Sequence, residues 1–170
     1  KSAGHDGDID YARSLLVERL ALAAGLADSY RVRLAFEPLH PMVCGFRSIV
    51  STLQESLDIL DQMDDSHDIG LAIDTYALWW EHDLQEKLKR AGRRILNYHV
   101  SDWLADTRDL RLDRGMPGDG QIALCDWRQM IEAAGYFGPV EIEIFSRDRW
   151  WKIPAEKMIA EIIQRMNSAF

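Results

Sequence analysis

The chain has 170 residues, of which 47% are hydrophobic, and a formal net charge of −8. This length and composition predict one hydrophobic core and a single domain over residues 1–170. The acidic balance argues against a nucleic-acid partner, since binding to phosphate backbones relies on an excess of Lys and Arg. The longest apolar stretch, residues 20–27, is far shorter than the ~20 residues of a membrane-spanning helix, so we expect no membrane association.

Two further features of the composition suit an ordinary soluble protein. The one dense basic stretch runs from Lys87 to Arg94 and alternates around a predicted helix, which favours a solvated helix face over a phosphate-binding patch. Cys44 and Cys125 are far apart in the sequence and lack the spacing of a zinc finger. We therefore predict a reduced, cytoplasmic protein rather than a disulfide scaffold.

The predicted elements alternate between helix and strand along the whole chain. Apolar residues at a spacing of three or four indicate the helices, and short apolar runs indicate the strands. The predicted strands cover 32–36, 69–73, 95–100 and 140–145. The predicted helices cover 10–27, 84–91, 126–134 and the stretch from Pro154 to about residue 166. A further helix between the first two strands is expected to begin with a capping box of Ser51 and Gln54, and its apolar face is formed by Leu53, Leu57, Leu60 and Met63.

This alternation predicts an α/β fold with parallel strands joined by right-handed crossovers. Only four strands are predicted, whereas a closed (β/α)8 TIM barrel takes ~250 residues. The chain is therefore expected to supply the C-terminal half of such a barrel, strands five to eight. Four strands alone would leave two sheet edges open to pairing. Either upstream residues are missing from the sequence, which we favour, or the half assembles with a partner, for instance in a homo-oligomer.

Four polar side chains stand at the carboxyl ends of the four predicted strands: Glu37, Asp74, His99 and Glu143. If the strands lie side by side, these ends meet at one edge of the sheet. Any single acid at such a place can cap the next helix or pair with an arginine. All four together indicate a metal site, because buried like charges are costly without a cation. Three carboxylates and an imidazole suit Mn²⁺, Mg²⁺ or Co²⁺ better than a structural zinc site, which favours thiolates.

Five motifs in order resemble the sugar phosphate isomerase/epimerase family of xylose isomerase-like barrels, which includes D-tagatose 3-epimerase, inosose dehydratase and hydroxypyruvate isomerase. The motifs are LAFEPLHP, LAIDTYALWW, NYHVSDW, RGMPGDG and GYFGPVEIEIF. They cover essentially the whole chain and have the family's spacing into its fifth to eighth strands. The resemblance implies that Glu37, Asp74, His99 and Glu143 bind a divalent metal, most readily Mn²⁺, with Mg²⁺, Co²⁺ or Zn²⁺ as alternatives. It also makes Glu37 and Glu143 the catalytic proton-transfer residues.

The expected chemistry is proton transfer on a small sugar or polyol substrate. A metal that chelates a carbonyl and a neighbouring hydroxyl polarises the carbonyl, acidifies the adjacent C–H and holds the charge of the resulting enediolate. One glutamate takes the proton. Its return on the opposite face is epimerisation, its transfer to the next carbon is isomerisation, and loss of a β-hydroxyl is dehydration.

Five further residues are predicted to bind substrate. His40 lies in the loop after the first strand, with simple packing as its alternative, and Asp102 follows His99 closely enough to orient a ligand or a hydroxyl. Arg114 lies in the long loop over 102–122, which we expect to form a lid or a substrate wall, and its alternative is an ion pair with Asp113 or Asp119. Trp79 and Trp103 follow ligand-bearing strands, where indoles can stack on a sugar or exclude water.

Glu141 and Ala77 bear on the choice of ligands and on the reaction. Glu141 points to the same face as Glu143, and we predict that Glu143 is the ligand and Glu141 a supporting residue. Where many epimerases of the family have a histidine, three residues after the aspartate, this chain has Ala77. A non-catalytic metal- or sugar-binding homologue is therefore one alternative function, and an endonuclease IV-like phosphodiesterase is a weaker one. His5, His67 and His82 are predicted to be surface residues.

Overall fold

A computed structural model describes residues 7–63 and 68–168, so His5 and His67 lie outside the described residues. Its centre is a sheet of four parallel strands that are neighbours in sequence order. The strands are β1 (Leu34–Phe36), β2 (Ile69–Asp74), β3 (Ile95–Val100) and β4 (Val140–Ile142). The α/β prediction is confirmed, and the four-stranded parallel sheet is consistent with half of a TIM barrel.

In the described residues, six α-helices connect and cover the strands: α1 (Ile9–Ser29), α2 (Leu53–Leu60), α3 (Thr75–Leu78), α4 (Leu84–Ala91), α5 (Leu124–Ala133) and α6 (Ala155–Ser168). The predicted capping box of α2 was one residue out of place. The Thr52 hydroxyl accepts a hydrogen bond from the Glu55 N–H, and the Glu55 carboxylate accepts one from the Thr52 N–H. Single 3₁₀ turns occupy Pro41–Val43, Gly92–Arg94 and Trp150–Lys152.

One face of the sheet forms the hydrophobic core with the helices. Leu71 and Ile73 of β2 and Tyr98 and Val100 of β3 are fully buried on this face. The helices contribute apolar residues at helical spacing, among them Leu53, Leu57, Leu88, Trp127 and Ile131. Full burial of one such side chain stabilises the fold by ~1.5–3 kcal/mol.

The opposite face of the sheet has small or polar side chains, including Ala35, Gly70, Ala72, Asn97 and Glu141. A register irregularity lies here, since Leu71 pairs with Ile95 but Ala72 pairs with Asn97. A Cβ on Gly70 would lie 2.2 Å from the Arg94 carbonyl oxygen, so only glycine fits beside this bulge. The bulge brings His99 into register with Asp74.

Strand β4 ends three residues earlier than predicted because the chain beyond it pairs with the long loop. The Arg114 N–H donates to the Phe145 carbonyl and the Arg147 N–H donates to the Leu112 carbonyl, each at 2.9 Å. This antiparallel contact places Arg114 beside Glu143 and thereby ties the loop to the carboxyl edge of the sheet.

The basic stretch on α4 and the turn after it faces acidic residues. Arg90 forms ion pairs with Asp58 and Asp61, and Arg94 forms one with Asp61. These pairs agree with the interpretation of a solvated helix face. Within residues 7–63 and 68–168, no helix is long and apolar enough to cross a membrane.

Candidate metal centre and substrate pocket

The four predicted ligands all lie at the carboxyl edge of the sheet. Glu37 directly follows β1, Asp74 is the last residue of β2, His99 is the penultimate residue of β3, and Glu143 directly follows β4. Because the strands are parallel and adjacent in this order, the four side chains start from one edge.

Three of these residues form a compact set of possible ligands. Glu37, His99 and Glu143 each offer one ligand atom, and these atoms lie within 4.8 Å of one another. His99 Nδ1 is buried without a hydrogen-bond partner among the described residues and lies 3.9 Å from Glu143 Oε2. An orphaned imidazole nitrogen beside two carboxylates fits a divalent cation.

The other nitrogen of His99 faces supporting groups. Nε2 lies 3.0 Å from the Asn97 side-chain amide and 3.6 Å from Glu141 Oε2. The Glu141 carboxylate beside Nε2 favours the tautomer with the imidazole proton on Nε2, in which the Asn97 amide presents its oxygen to this proton, and the Nδ1 lone pair is then free for a cation. The Glu141 side chain is 56% exposed against 33% for Glu143, which agrees with Glu143 as the ligand and Glu141 behind it.

Asp74 reaches the same edge, but its oxygens are not part of the three-residue set. Its side chain is fully buried and accepts hydrogen bonds from the Tyr76 N–H and from Arg114 Nη1, both at 2.9 Å. Asp74 therefore caps α3 and neutralises an arginine, and its role as a fourth ligand stays a prediction.

Arg114 links two of the acids at the site. Its Nη1 lies 2.9 Å from Asp74 Oδ2 and 2.9 Å from Glu143 Oε2, and the guanidinium carbon lies 4.5 Å from the centre of the Tyr76 ring. The predicted alternative, a pair with Asp113 or Asp119, was wrong. Those acids instead pair with Arg149 and Arg165 respectively.

The environment of Glu37 favours its protonated form. Burial, and then the negative charges of Asp74 and Glu143, raise the pKa of Glu37 to about 7, although His99 and Arg114 act in the opposite direction. A carboxyl group with a pKa near neutrality can both take up and release a proton under physiological conditions.

A pocket opens beside these residues. It is lined by Glu37, Leu39, His40, Val43, Arg47, Asp74, Tyr76, Ala77, Leu110, Arg111, Arg114, Glu143 and Phe145. The predicted contacts His40 and Arg114 are thus at the pocket, and so is Ala77. Sequence reasoning missed Tyr76, although its position two residues after Asp74 was a usable signal, and it also missed Arg47 and Arg111.

The two predicted indole contacts lie behind the pocket wall. Trp103 stacks between His40 and Tyr76, with ring centres 4.8 and 4.7 Å away, and Trp79 lies 5.6 Å from Trp103. Neither tryptophan lines the pocket of the described residues. In the described residues Trp103 packs against His40 and Tyr76, which line the pocket, and a direct contact of Trp79 or Trp103 with substrate stays a prediction.

Asp102 also has a different role from the predicted one. Its two carboxylate oxygens accept hydrogen bonds from the backbone N–H groups of Trp103, Gly118, Gly120 and Ile122, at 2.8–3.0 Å. The side chain is 1% exposed. Asp102 therefore organises the long loop instead of orienting a substrate hydroxyl. His82 is exposed, as predicted.

Comparison with known proteins found one matching family model and several solved structures with the same fold. The family model described as a xylose isomerase-like TIM barrel matches residues 2–169. A search of curated proteins found no match. The crystal structure of protein SMc04130 from Sinorhizobium meliloti is 45% identical, with a TM-score of 0.92, and the match covers 98% of this chain and 60% of that one.

Two more distant structures share the fold. The IOLI protein with a bound zinc atom is 23% identical over 95% of this chain and 57% of its own, with a TM-score of 0.79. D-Psicose 3-epimerase with D-tagatose, from Clostridium cellulolyticum, is 20% identical over 99% of this chain and 57% of its own, with a TM-score of 0.73. The chain thus spans about three fifths of the length of these structures.

Proposed function

The chain belongs to the xylose isomerase-like TIM barrel family, and from this premise we propose that it serves a divalent-metal-dependent isomerase or epimerase of a sugar or polyol. The observation that carries the proposal is the convergence of Glu37, His99 and Glu143 within 4.8 Å beside a pocket. The resemblance of the five motifs to epimerases and isomerases supports the same conclusion.

The proposed ligands are Glu37, His99 and Glu143, with Asp74 joining them when Arg114 releases its carboxylate. Two or three carboxylates and one imidazole suit Mn²⁺ first, while the zinc in the IOLI structure keeps Zn²⁺ among the alternatives with Mg²⁺ and Co²⁺. A bound divalent ion supplies Lewis acidity, which draws electron density from a carbonyl oxygen and acidifies the neighbouring C–H.

Glu37 and Glu143 are the proposed proton-transfer residues. Glu37 follows β1 and Glu143 follows β4, so they come from the two outer strands of the sheet. In these roles Glu37 takes the proton from carbon, and Glu143, in its protonated form, returns one from its own side. The pKa of about 7 is that of Glu37 in the ion-free site. Arg114 and Tyr76 position substrate oxygens at the pocket wall.

Ala77 supports a second candidate function. It lines the pocket at the position where the related epimerases are expected to have a histidine. A protein that binds a metal and a sugar without turnover would tolerate this small side chain.

Dehydration on the same site is the alternative reaction, since it needs only that a hydroxyl leave after the proton is taken. Endonuclease activity has weaker support, because Arg90 and Arg94 of the dense basic stretch are paired with acids among the described residues.

We also propose that the working unit is an eight-stranded barrel in a cytoplasmic setting. The polar inner face of the sheet and the one-sided pairing of β1 and β4 support four further strands, from upstream residues or from a partner copy. The two cysteines, Cys44 and Cys125, lie far apart in the sequence and lack zinc-finger spacing, which suits a reducing compartment.

The decisive experiment measures hydrogen exchange between solvent and the carbon next to a carbonyl, across a panel of ketoses and inososes in D₂O with Mn²⁺. We expect exchange that a chelator abolishes and Mn²⁺ restores. Glu37→Gln and Glu143→Gln should each remove exchange, by about 100-fold or more, while the exposed Glu156→Gln should not change it. Metal and sugar binding without any exchange would instead identify the non-catalytic homologue.

A further inference from the structure

Two arginines at the rim of the pocket have no role in the proposed proton transfer. Arg47 lies after the first 3₁₀ turn and Arg111 lies in the long loop, and both line the pocket that contains Glu37 and Glu143. Both are exposed side chains. They approach the pocket from separate loops, so the fold itself places two positive charges at one opening.

Arg47 and Arg111 belong to a minority of the arginines in the described residues. Most arginines of residues 7–63 and 68–168 form ion pairs, including those that flank the pocket residues, namely Arg108, Arg114, Arg147 and Arg149. Arg47 and Arg111, like Arg31 and Arg93, form no ion pair within the described part of the chain. The acid nearest in effect is the exposed Asp109, whose pKa is lowered by hydrogen bonds from the Arg111 and Leu112 N–H groups and, more weakly, by the charges of Arg147 and Arg111. The chain has 28 acidic and 20 basic side chains, so an arginine without an acidic partner stands out against the overall charge.

The base and the rim of the pocket differ in charge. At the base, Glu37, Asp74 and Glu143 face one another around Arg114 and would repel an anion. At the rim, Arg47 and Arg111 stand beside apolar side chains, among them Val43, Leu110 and Phe145. Apolar neighbours weaken screening by water and so strengthen the attraction between a guanidinium and an oxyanion.

We propose that this pocket takes a substrate with a carboxylate or phosphate group at the end remote from the reacting hydroxy-carbonyl, and that Arg47 and Arg111 bind this group. The inference rests on the proposed function and extends it from a sugar or polyol to an anionic one. Guanidinium groups form paired hydrogen bonds with both kinds of oxyanion. The arrangement orients the substrate, because the acidic base and the basic rim each accept only one of its ends.

The test compares three probes that share a hydroxyketone and differ in the group at the far end: dihydroxyacetone, 5-hydroxy-4-oxopentanoate and dihydroxyacetone phosphate. Binding to the Mn²⁺-loaded protein is measured by calorimetry at low ionic strength. We expect at least one anionic probe to bind about 10-fold or more tightly than dihydroxyacetone. Preference for 5-hydroxy-4-oxopentanoate identifies a carboxylate as the anion, and preference for dihydroxyacetone phosphate identifies a phosphate.

Variants at the rim assign the preference to the two arginines. Arg47→Gln and Arg111→Gln should each weaken binding of the anionic probe by roughly 3- to 10-fold, and the double variant should remove the preference. Arg47→Lys should restore part of it. Binding of dihydroxyacetone should not change. Arg93→Gln is the matched control, since Arg93 is also exposed and without an ion pair among the described residues but lies on the turn before β3.

Several outcomes would overturn the inference. If dihydroxyacetone binds as tightly as both anions, the rim has no preference, although proton exchange could still prove the proposed function. If the anions are preferred but the double variant keeps the preference, other residues bind them. If abasic DNA is retained at physiological salt and lost in the double variant, the anion belongs to a nucleic acid. Anion preference lost in the double variant, in a protein without proton exchange, would support this inference and contradict the proposed enzyme.

Discussion

The acids of the candidate site are arranged around one guanidinium. Arg114 bonds to Asp74 and Glu143 through a single nitrogen and lies against the ring of Tyr76, with only 12% of its side chain exposed. Without a positive charge, three carboxylates at one strand edge would repel one another. Arg114 supplies that charge from within the chain, yet the pKa of Glu37 is still raised, first by burial and then by the charges of Asp74 and Glu143.

The raised pKa of Glu37 predicts that the stability of the metal-free protein depends on pH. Its pKa rises from 4.5 to about 7 on folding, so between these values the folded protein holds a proton that the unfolded chain has released. The stabilisation by this proton is complete below pH 4.5 and is lost as the pH rises through about 7. In chelator, we therefore expect the free energy of unfolding of Glu37→Gln to fall less with pH over this window, as measured by urea titration.

The same experiment contains its control. Glu156→Gln, on the exposed side of α6, should keep the pH dependence of the unaltered protein. An unchanged slope in Glu37→Gln would show that another group of the site holds the proton.

A second prediction concerns the competition between Arg114 and a metal. Arg114→Gln removes the group that occupies Asp74 and Glu143, so Mn²⁺ should bind with at least the original affinity, and about 10-fold more tightly if Asp74 joins the ligands. The metal-free protein should lose about 1–3 kcal/mol of stability, because buried acids are left unpaired. Calorimetry with Mn²⁺ and urea unfolding measure the two effects.

Arg90→Gln serves as the comparison, since Arg90 is ion-paired on α4 away from the site. It should leave the Mn²⁺ affinity unchanged. Weaker metal binding in Arg114→Gln would mean that Arg114 holds the ligands in place and does not compete with the ion.

Residue roles that depend on distant partners were the hardest to predict. Arg114 was predicted to bind substrate, with an ion pair to the nearby Asp113 or Asp119 as its alternative, but its ion-pair partners are 40 and 29 residues away. The role of Asp102 depends on donors 16 to 20 residues further along the chain. Strand-end positions, in contrast, follow from local patterns alone, which is why the sequence placed Glu37, His99 and Glu143 at one edge.

At the level of elements, the ends of helices and strands were predicted correctly where the sequence has a strong local signal, such as a glycine or a short apolar run. Gly92 ends α4 at Ala91 and the apolar run defines β3, and both elements have the predicted bounds. The prediction for β4 was too long because residues after Ile142 pair with the long loop. No local pattern distinguishes a residue that continues a strand from one that bonds a loop 30 residues earlier.

The long loop gives a prediction at this scale. Asp102→Ala leaves four backbone N–H groups without their acceptor and should destabilise the fold by about 2–4 kcal/mol. Asp102→Asn replaces one oxygen by a donor and should cost roughly half as much, about 1–2 kcal/mol. Urea unfolding measures both. In addition, proteolysis within 102–122 should accelerate, since the loop loses its anchor.

A surface acid of the same loop is the control. Asp106→Ala removes an ion pair with Arg149 and should cost only about 0–1 kcal/mol, because the pair is exposed to solvent. If Asp102→Ala is no worse than Asp106→Ala, the four hydrogen bonds do not organise the loop.

On the scale of the whole molecule, the four strands leave surfaces that a closed barrel would cover. Strands β1 and β4 pair on one side only. The outer helices also present large apolar residues to solvent, such as Leu26 of α1, which is 63% exposed, and Ile163 of α6, which is 58% exposed. Open strand edges and exposed large apolar side chains are features that normally contact another part of the protein or another chain.

We therefore predict that the 170-residue chain, purified alone, self-associates at micromolar concentration and binds a hydrophobic dye. Light scattering after size exclusion measures the mass, and dye fluorescence measures the exposed apolar surface. Addition of four upstream strands should abolish both. A dye-free monomer of the isolated chain would contradict the proposed barrel and would show that the exposed faces need no cover.

The guanidinium at the centre of the site also bears on how the proposed metal would be acquired. Because Arg114 balances part of the charge of Asp74 and Glu143, the proposed ligand residues can reach their places before any ion arrives. Loading would then follow folding, and the ion acquired would depend on which metals the surroundings offer. The metal content of a purified sample would accordingly describe its growth medium, and the preference of the protein itself must be measured by competition between ions added to the stripped site.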